Sequence, residues 1–530
     1  MNTAIGEISQ SRQVRGLALF LGLAWLVWVL ANWIVTGSTQ YLVIGSMIIA
    51  MIMVTVGILK DWRSGLLFFI LWLLFEDLAR KYLGNGTLLF FGKDILAAII
   101  YVSIFTARQR NKMELFRPPF LVPLAIFFAL AFVQVFNTQA PSPLYGLLGL
   151  KLYFYYVPLM FAGYALLRSK KDLDRFLIFS VALGLLIASL GIIQSVVGLQ
   201  FLNPATLAPE LEALGNLTRI SPITHRAVPV PSSVFVSGGR YASYMILLII
   251  LAMGAQAYML LTRRRRSIYG FLGIGLALVG AMQSGSRGTI IYATMSIFAV
   301  SAGLLWGAPW RWGQGHRLAK AVRRSILVGA MGLFLMVQFF PNSIGSAWAF
   351  YFETLSPTSS ANELQHRAWD YPLLNLTKAL QSPRWLIGFG TGSASLGMQY
   401  VDRLLGQRRE ALSVENGYGT LILEMGIMGL VLWIFWTTTL LLYAWKIVRG
   451  LRETVYFPVG FAIFWYSFML LVPFTYLGIN TYQNFVMNAY FWILIGVLFR
   501  LPHLARVPQV VPAKERVARI VGLQPVFGRR

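Results

Sequence analysis

The stretch S-V-E-N-G-Y-G-T-L-I-L-E-M-G-I-M-G-L, Ser413 to Leu430, decides how the chain reads. Glu415 and Asn416 stand just before a long apolar run, and Gly426 and Gly429 punctuate that run three residues apart. A carboxylate and an amide at the mouth of a membrane helix, with small residues inside it, predict close helix contact there. Glu415 lies where proton chemistry at a membrane surface could be done. The upstream chain brings charged groups to the same face.

Composition bounds the class. The 530 residues are 57% hydrophobic and 12% charged, against about 25% charged in soluble domains. Repeated apolar runs of about 20 residues make the chain a polytopic, all-α membrane protein. The run Leu17 to Val35 has no small-residue cleavage site and is followed by further spans, so it reads as a span rather than a signal peptide. Without cysteine, disulfides and thiol catalysis are excluded. The net charge of +26 reads as topology-setting charge beside spans, not as a nucleic-acid footprint.

Taken in order, the runs give about fourteen spans with both termini inside. Residues 1–197 are N-terminal transmembrane helices, and 198–240 form a first outer loop with five prolines. Residues 241–340 hold further helices joined at S-G-S-R-G, Ser284 to Gly288. A large outer loop, 341–416, lies between spans eleven and twelve. Residues 417–500 are the C-terminal helices, and 501–530 a basic inner tail. Span three ends in Glu76, Asp77, Arg80 and Lys81, whose spacing suits pairing along one helix.

Cations on the outer side run against the positive-inside rule and are therefore informative. Arg219, Arg226, Arg240, Arg287 and Arg367 are among them. A guanidinium fork suits phosphate oxygens. The competing reading pairs these arginines with carboxylates such as Glu353 and Glu363, or with lipid head groups. His366 reads as a solvated loop residue or a site group, and Trp369, Tyr371 and Trp385 as sugar-stacking or interfacial aromatics. No metal-ligand spacing, P-loop or dinucleotide fingerprint is present, so neither metal nor cofactor is expected.

Four segments together resemble the O-antigen ligase and O-antigen polymerase superfamily of bacterial envelope glycosyltransferases. They are S-G-S-R-G; V-F-V-S-G-G-R-Y-A-S-Y-M, Val234 to Met245; H-R-A-W, His366 to Trp369, followed by G-F-G-T-G, Gly388 to Gly392; and the end of the large loop. There, Asn416, nine residues, Gly426 and Gly429 match the family pattern, with Glu415 where the ligases carry histidine. The resemblance covers roughly residues 198–430.

It implies a multi-pass protein of the bacterial cytoplasmic membrane whose outer loops face the periplasm. The donor would be a glycan on undecaprenyl pyrophosphate. A polymerase passes it to another lipid-linked repeat unit of an O-antigen or exopolysaccharide. A ligase passes it to lipid A core, as in lipopolysaccharide assembly. A chain-length regulator or export machinery would be partners, and no nucleic acid is involved. The glutamate at the ligase histidine position puts polymerase first and ligase second. In this reading Glu415 is the base and Asn416 orients it. Arg226, Arg240 and Arg287 hold the pyrophosphate, while His366, Arg367 and Trp369 face the glycan. The rival from another class is a lipid-linked oligosaccharide flippase, which should show a central charged cavity and internal repeats.

Overall fold

The computed structural model describes residues 39–84, 87–109, 116–204, 218–262, 268–310, 345–396, 398–406, 414–478 and 481–506, with scattered positions between 316 and 339. The chain is mostly helical. It divides into two units, Met1–Leu66 and Leu67–Arg530. In the first, the described chain is the helix Thr39–Lys60 and the start of the helix Trp62–Leu83.

Among the described residues, eight helices are long and apolar enough to cross a membrane. They include Lys170–Val197, Gly238–Thr262, Arg287–Gly307, Gly417–Gly450 and Phe485–Arg506. Three shorter apolar helices, Ile49–Lys60, Leu121–Phe136 and Gly273–Gln283, occupy positions where spans are expected. The expected span one lies outside the described residues, and of span eleven only scattered positions are described. Parts of both large loops and the tail after 506 also lie outside them. Eight is thus the number carried by length and composition among the described residues, and the expected fourteen is a count over the whole chain.

The most enclosed helices are Phe485–Arg506 and Gly238–Thr262. The first packs along Leu159–Leu166 so closely that Gly163 meets the Ile493 backbone and Gly496 the Met160 backbone. Only glycine lets two helix backbones come this near. Aromatic side chains fill the space beside them: Trp433, Trp436, Tyr482 and Trp492 are fully buried and in mutual ring contact.

Two readings change. The 198–240 segment contains a two-stranded antiparallel ribbon, Thr218–Ile220 against Ala227–Pro229, inside an otherwise helical chain. Its six-residue turn closes with Ser221 N–H donating to the Arg226 carbonyl, 3.0 Å. Glu353 fastens it to the Ser346–Leu355 helix by accepting from the Ser221 hydroxyl and the Ile223 N–H, 2.5 and 2.9 Å. The second change concerns Gly426. It breaks its helix, at φ 70° and ψ −174°, so the close contact there is with a loop and not with another helix.

That loop is the G-F-G-T-G segment. Phe389 and Gly390 N–H groups donate to the Leu423 and Glu424 carbonyls, 2.7 and 3.0 Å, and Ile427 N–H donates to the Trp385 carbonyl, 2.8 Å. These bonds satisfy backbone groups at the break within the protein, the condition under which a broken helix is tolerated in a membrane.

Candidate functional site

A cavity of about 860 Å³ opens where the ribbon, the S-G-S-R-G turn, the large loop and the start of the 417–450 helix meet. Only Ser284, Gly285 and Ser286 separate the helices Ile268–Gln283 and Arg287–Gly307. Gly285, at φ 62°, supplies the left-handed residue that so tight a turn needs. Arg287 is consequently the first residue of its helix and lines the cavity.

Its guanidinium lies 2.5 Å from Glu363 Oε2 and 5.0 Å from the Phe350 ring centre. Arg367, one helical turn beyond Glu363, bonds the same oxygen at 3.2 Å and covers the Tyr371 ring at 4.9 Å. Arg219 reaches the cavity from the ribbon. Burial, together with the charge of the nearby Arg287, lowers the pKa of its guanidinium. For Glu363, burial acts upward, but hydrogen bonding and charge from Arg287 and Arg367 win and hold the carboxyl below its ordinary range.

Glu415 lies on the same wall and is exposed. Its backbone N–H donates to Asn375 Oδ1, 3.1 Å, which fixes the chain just before the helix begins. The Tyr371 phenol donates to the Glu415 carboxylate, and this bond raises the phenol's pKa. Three guanidiniums and two carboxylates thus face one space, with Ile220, Ile291 and Leu477 as apolar lining. The formal charge of these five side chains sums to a positive value, with the Glu415 carboxylate beside the guanidiniums.

No family model and no curated protein matches this chain.

The geometry of the cavity brings Glu415, Arg287 and Arg367 together and leaves the other expected residues outside the lining. Asn416 is fully buried and caps the 417–450 helix through Gly419 N–H, 2.9 Å. Arg226 is exposed on the ribbon turn. Arg240 bonds Asp77 at 2.7 Å, among other buried charges. His366 is exposed, its ring 5.8 Å from that of Tyr371, and Trp369 is exposed.

Arg219, expected only as one of the outer cations, Glu363, expected as a pairing carboxylate, and Tyr371, expected as a stacking or interfacial aromatic, all line the cavity. An odd cation in an outer loop was the signal for Arg219. The i, i+4 spacing of Glu363 and Arg367 was the signal for Glu363. Glu424 is a further buried carboxylate at the helix break. It accepts from the Ser395 hydroxyl at 2.6 Å and the Tyr153 phenol at 3.0 Å.

Proposed function

We propose that the chain is a membrane glycosyltransferase that polymerises undecaprenyl-pyrophosphate-linked saccharide units, working in the bacterial cytoplasmic membrane with this cavity facing the periplasm. What supports the reading is one observation: Arg219, Arg287 and Arg367 share a cavity with Glu415, beside helices able to span a membrane.

The acceptor hydroxyl attacks the anomeric carbon of the donor sugar while the Glu415 carboxylate takes its proton. The bond from that carbon to the pyrophosphate oxygen breaks, and the departing pyrophosphate gains a negative charge. Arginine forks already in place stabilise that charge without reorganising. Glu363 holds Arg287 and Arg367 side by side until an anion competes for them. Tyr371, bonded to Glu415 and covered by Arg367, links base and cation.

The test is transfer by the purified protein from a lipid-linked oligosaccharide to a second one. Glu415→Gln keeps size and hydrogen bonding but loses the base. Transfer should fall by about 10²-fold or more, with donor binding retained. Transfer at the parental rate would remove Glu415 from the chemistry. Products no longer than one unit from the unmodified protein would sink the polymerase reading.

A further inference from the structure

A second space adjoins the cation cavity and is its opposite in character. This groove, of about 520 Å³, carries no charged residue among the described residues of its lining. It lies where the helices Ile268–Gln283, Arg287–Gly307 and Ser346–Leu355 come together, with Met282, Ile290, Ala293, Trp348, Phe352 and Leu355 among its walls. The three-residue turn at Ser284, Gly285 and Ser286 sets the first two helices next to each other in the chain.

Ala281 and Ala293 line the groove and are buried; side chains that end at Cβ leave space that larger ones would fill. Trp348 and Phe352 stand 58% and 65% exposed, so the groove is open on their side. Two of the hydroxyls in the lining are already bonded. The Tyr351 phenol donates to the Met282 carbonyl at 2.6 Å, and the Ser356 hydroxyl bonds that of Thr358 at 2.9 Å. What the walls offer a ligand is therefore mainly apolar contact. The volume falls within the range of about 300–1,000 Å³ that encloses organic molecules.

Groove and cavity share a wall, since Leu355 lines both. Phe350, with the Arg287 guanidinium 5.0 Å from its ring centre, faces the cavity, and its neighbour Tyr351 faces the groove. Ile290 and Thr294 follow Arg287 by three and seven residues and so lie on its side of the helix. Along that side a guanidinium gives way to an apolar trough. An amphiphile has the same order, an anionic head and then a hydrocarbon chain.

We propose that the groove holds the isoprenoid chain of the lipid whose pyrophosphate lies at Arg287. The proposal rests on the reading of the cavity as a pyrophosphate site, and it adds where the chain runs. Within a bilayer, moving a chain from lipid into a groove removes no apolar surface from water. The groove therefore works by placing the chain, and blocking it displaces the head group from Arg287. A chain seated there leaves the rest of the cavity, with Glu415, to the sugar.

Photo-crosslinking tests this, with the purified full chain in phosphatidylcholine nanodiscs and a farnesyl pyrophosphate analogue that carries a diazirine at the end of its chain. Label should fall on groove residues within 278–294 and 348–356, and excess farnesyl pyrophosphate should remove it. Label elsewhere, or equal removal by phosphatidylglycerol, would overturn the proposal.

Thr294→Trp narrows the groove from an exposed position. It should weaken the labelling, and farnesyl pyrophosphate binding by calorimetry, about tenfold or more, and inorganic pyrophosphate binding far less. Equal loss for both probes would overturn the placement of the chain. Should this variant fail to accumulate, the labelling map of the unmodified protein decides. Label in the groove of a protein that transfers no glycan would leave the chain site standing and remove the polymerase reading; transfer with label elsewhere would do the reverse.

Discussion

Asn416 adjoins the proposed base, and its side chain makes three bonds in a fully buried position. Oδ1 accepts from Gly419 N–H at 2.9 Å, and Nδ2 donates to the Pro372 carbonyl at 3.0 Å and the Tyr476 carbonyl at 2.8 Å. It thereby ties the start of the 417–450 helix to the Tyr371–Leu380 helix and to the Pro473–Leu477 turn. In Asn416→Ala the lost cap costs about 1 kcal/mol. Each carbonyl deprived of a donor adds about 1 kcal/mol, the low end of the range, because a carbonyl oxygen has a second lone pair to use. The sum is on the order of 3 kcal/mol, or more than a hundredfold in the unfolding constant.

Asn416→Asp separates the contributions. Aspartate caps a helix as well as asparagine does, but it points lone pairs at the two carbonyls. Its loss should equal or exceed that of the alanine variant. Reversible unfolding in mixed dodecyl sulfate micelles reads both. An Asn416→Asp protein as stable as the parent would show that capping is the whole role and that the two carbonyl bonds contribute nothing.

Other expectations follow from the same contacts. Arg287→Lys keeps charge but not the bidentate fork, so donor use should drop while the protein still accumulates; normal transfer by Arg287→Ala would remove this residue from pyrophosphate binding. The depressed Glu363 carboxyl means that its ion pairs stabilise fully above the ordinary value of 4.5 and lose this effect as pH falls through the lower folded value. The difference in thermal midpoint between the parent and Glu363→Gln should then stay flat from pH 7 to 5 and close only at lower pH; closing already above pH 5 would contradict the assignment. Gly426→Ala would place a Cβ against the Leu386 carbonyl at φ 70° and should prevent accumulation in the membrane. Gly450→Ala, with open space around its Cβ position, should accumulate normally.

Much of the helical architecture was legible in the chain because a bilayer imposes local rules. A span must be a run of apolar residues of set length, and helices such as 170–197 and 485–506 stand where such runs stand. Glu415 and Arg287 were legible as site candidates for a related reason: a charged residue at the edge of an apolar run is conspicuous. The ribbon was hidden, because three-residue strands leave too short a pattern to show a period of two, and it is held in place by Glu353, more than a hundred residues away.

Ion pairing belongs to the tertiary structure. Arg240 reads like Arg287 as an isolated outer cation, yet one bonds Asp77 within a buried cluster and the other Glu363 at the edge of a cavity. Each choice depends on which distant segments the packing brings within about 4 Å, where an ion pair forms, and the spacing of residues along the chain does not show which segments those are. Gly426 makes the same division within a single residue. That it is small was plain from the chain. That the helix breaks at it, leaving the backbone groups of Leu423, Glu424 and Ile427 to bond residues 385–390, was decided only by the packing of that loop.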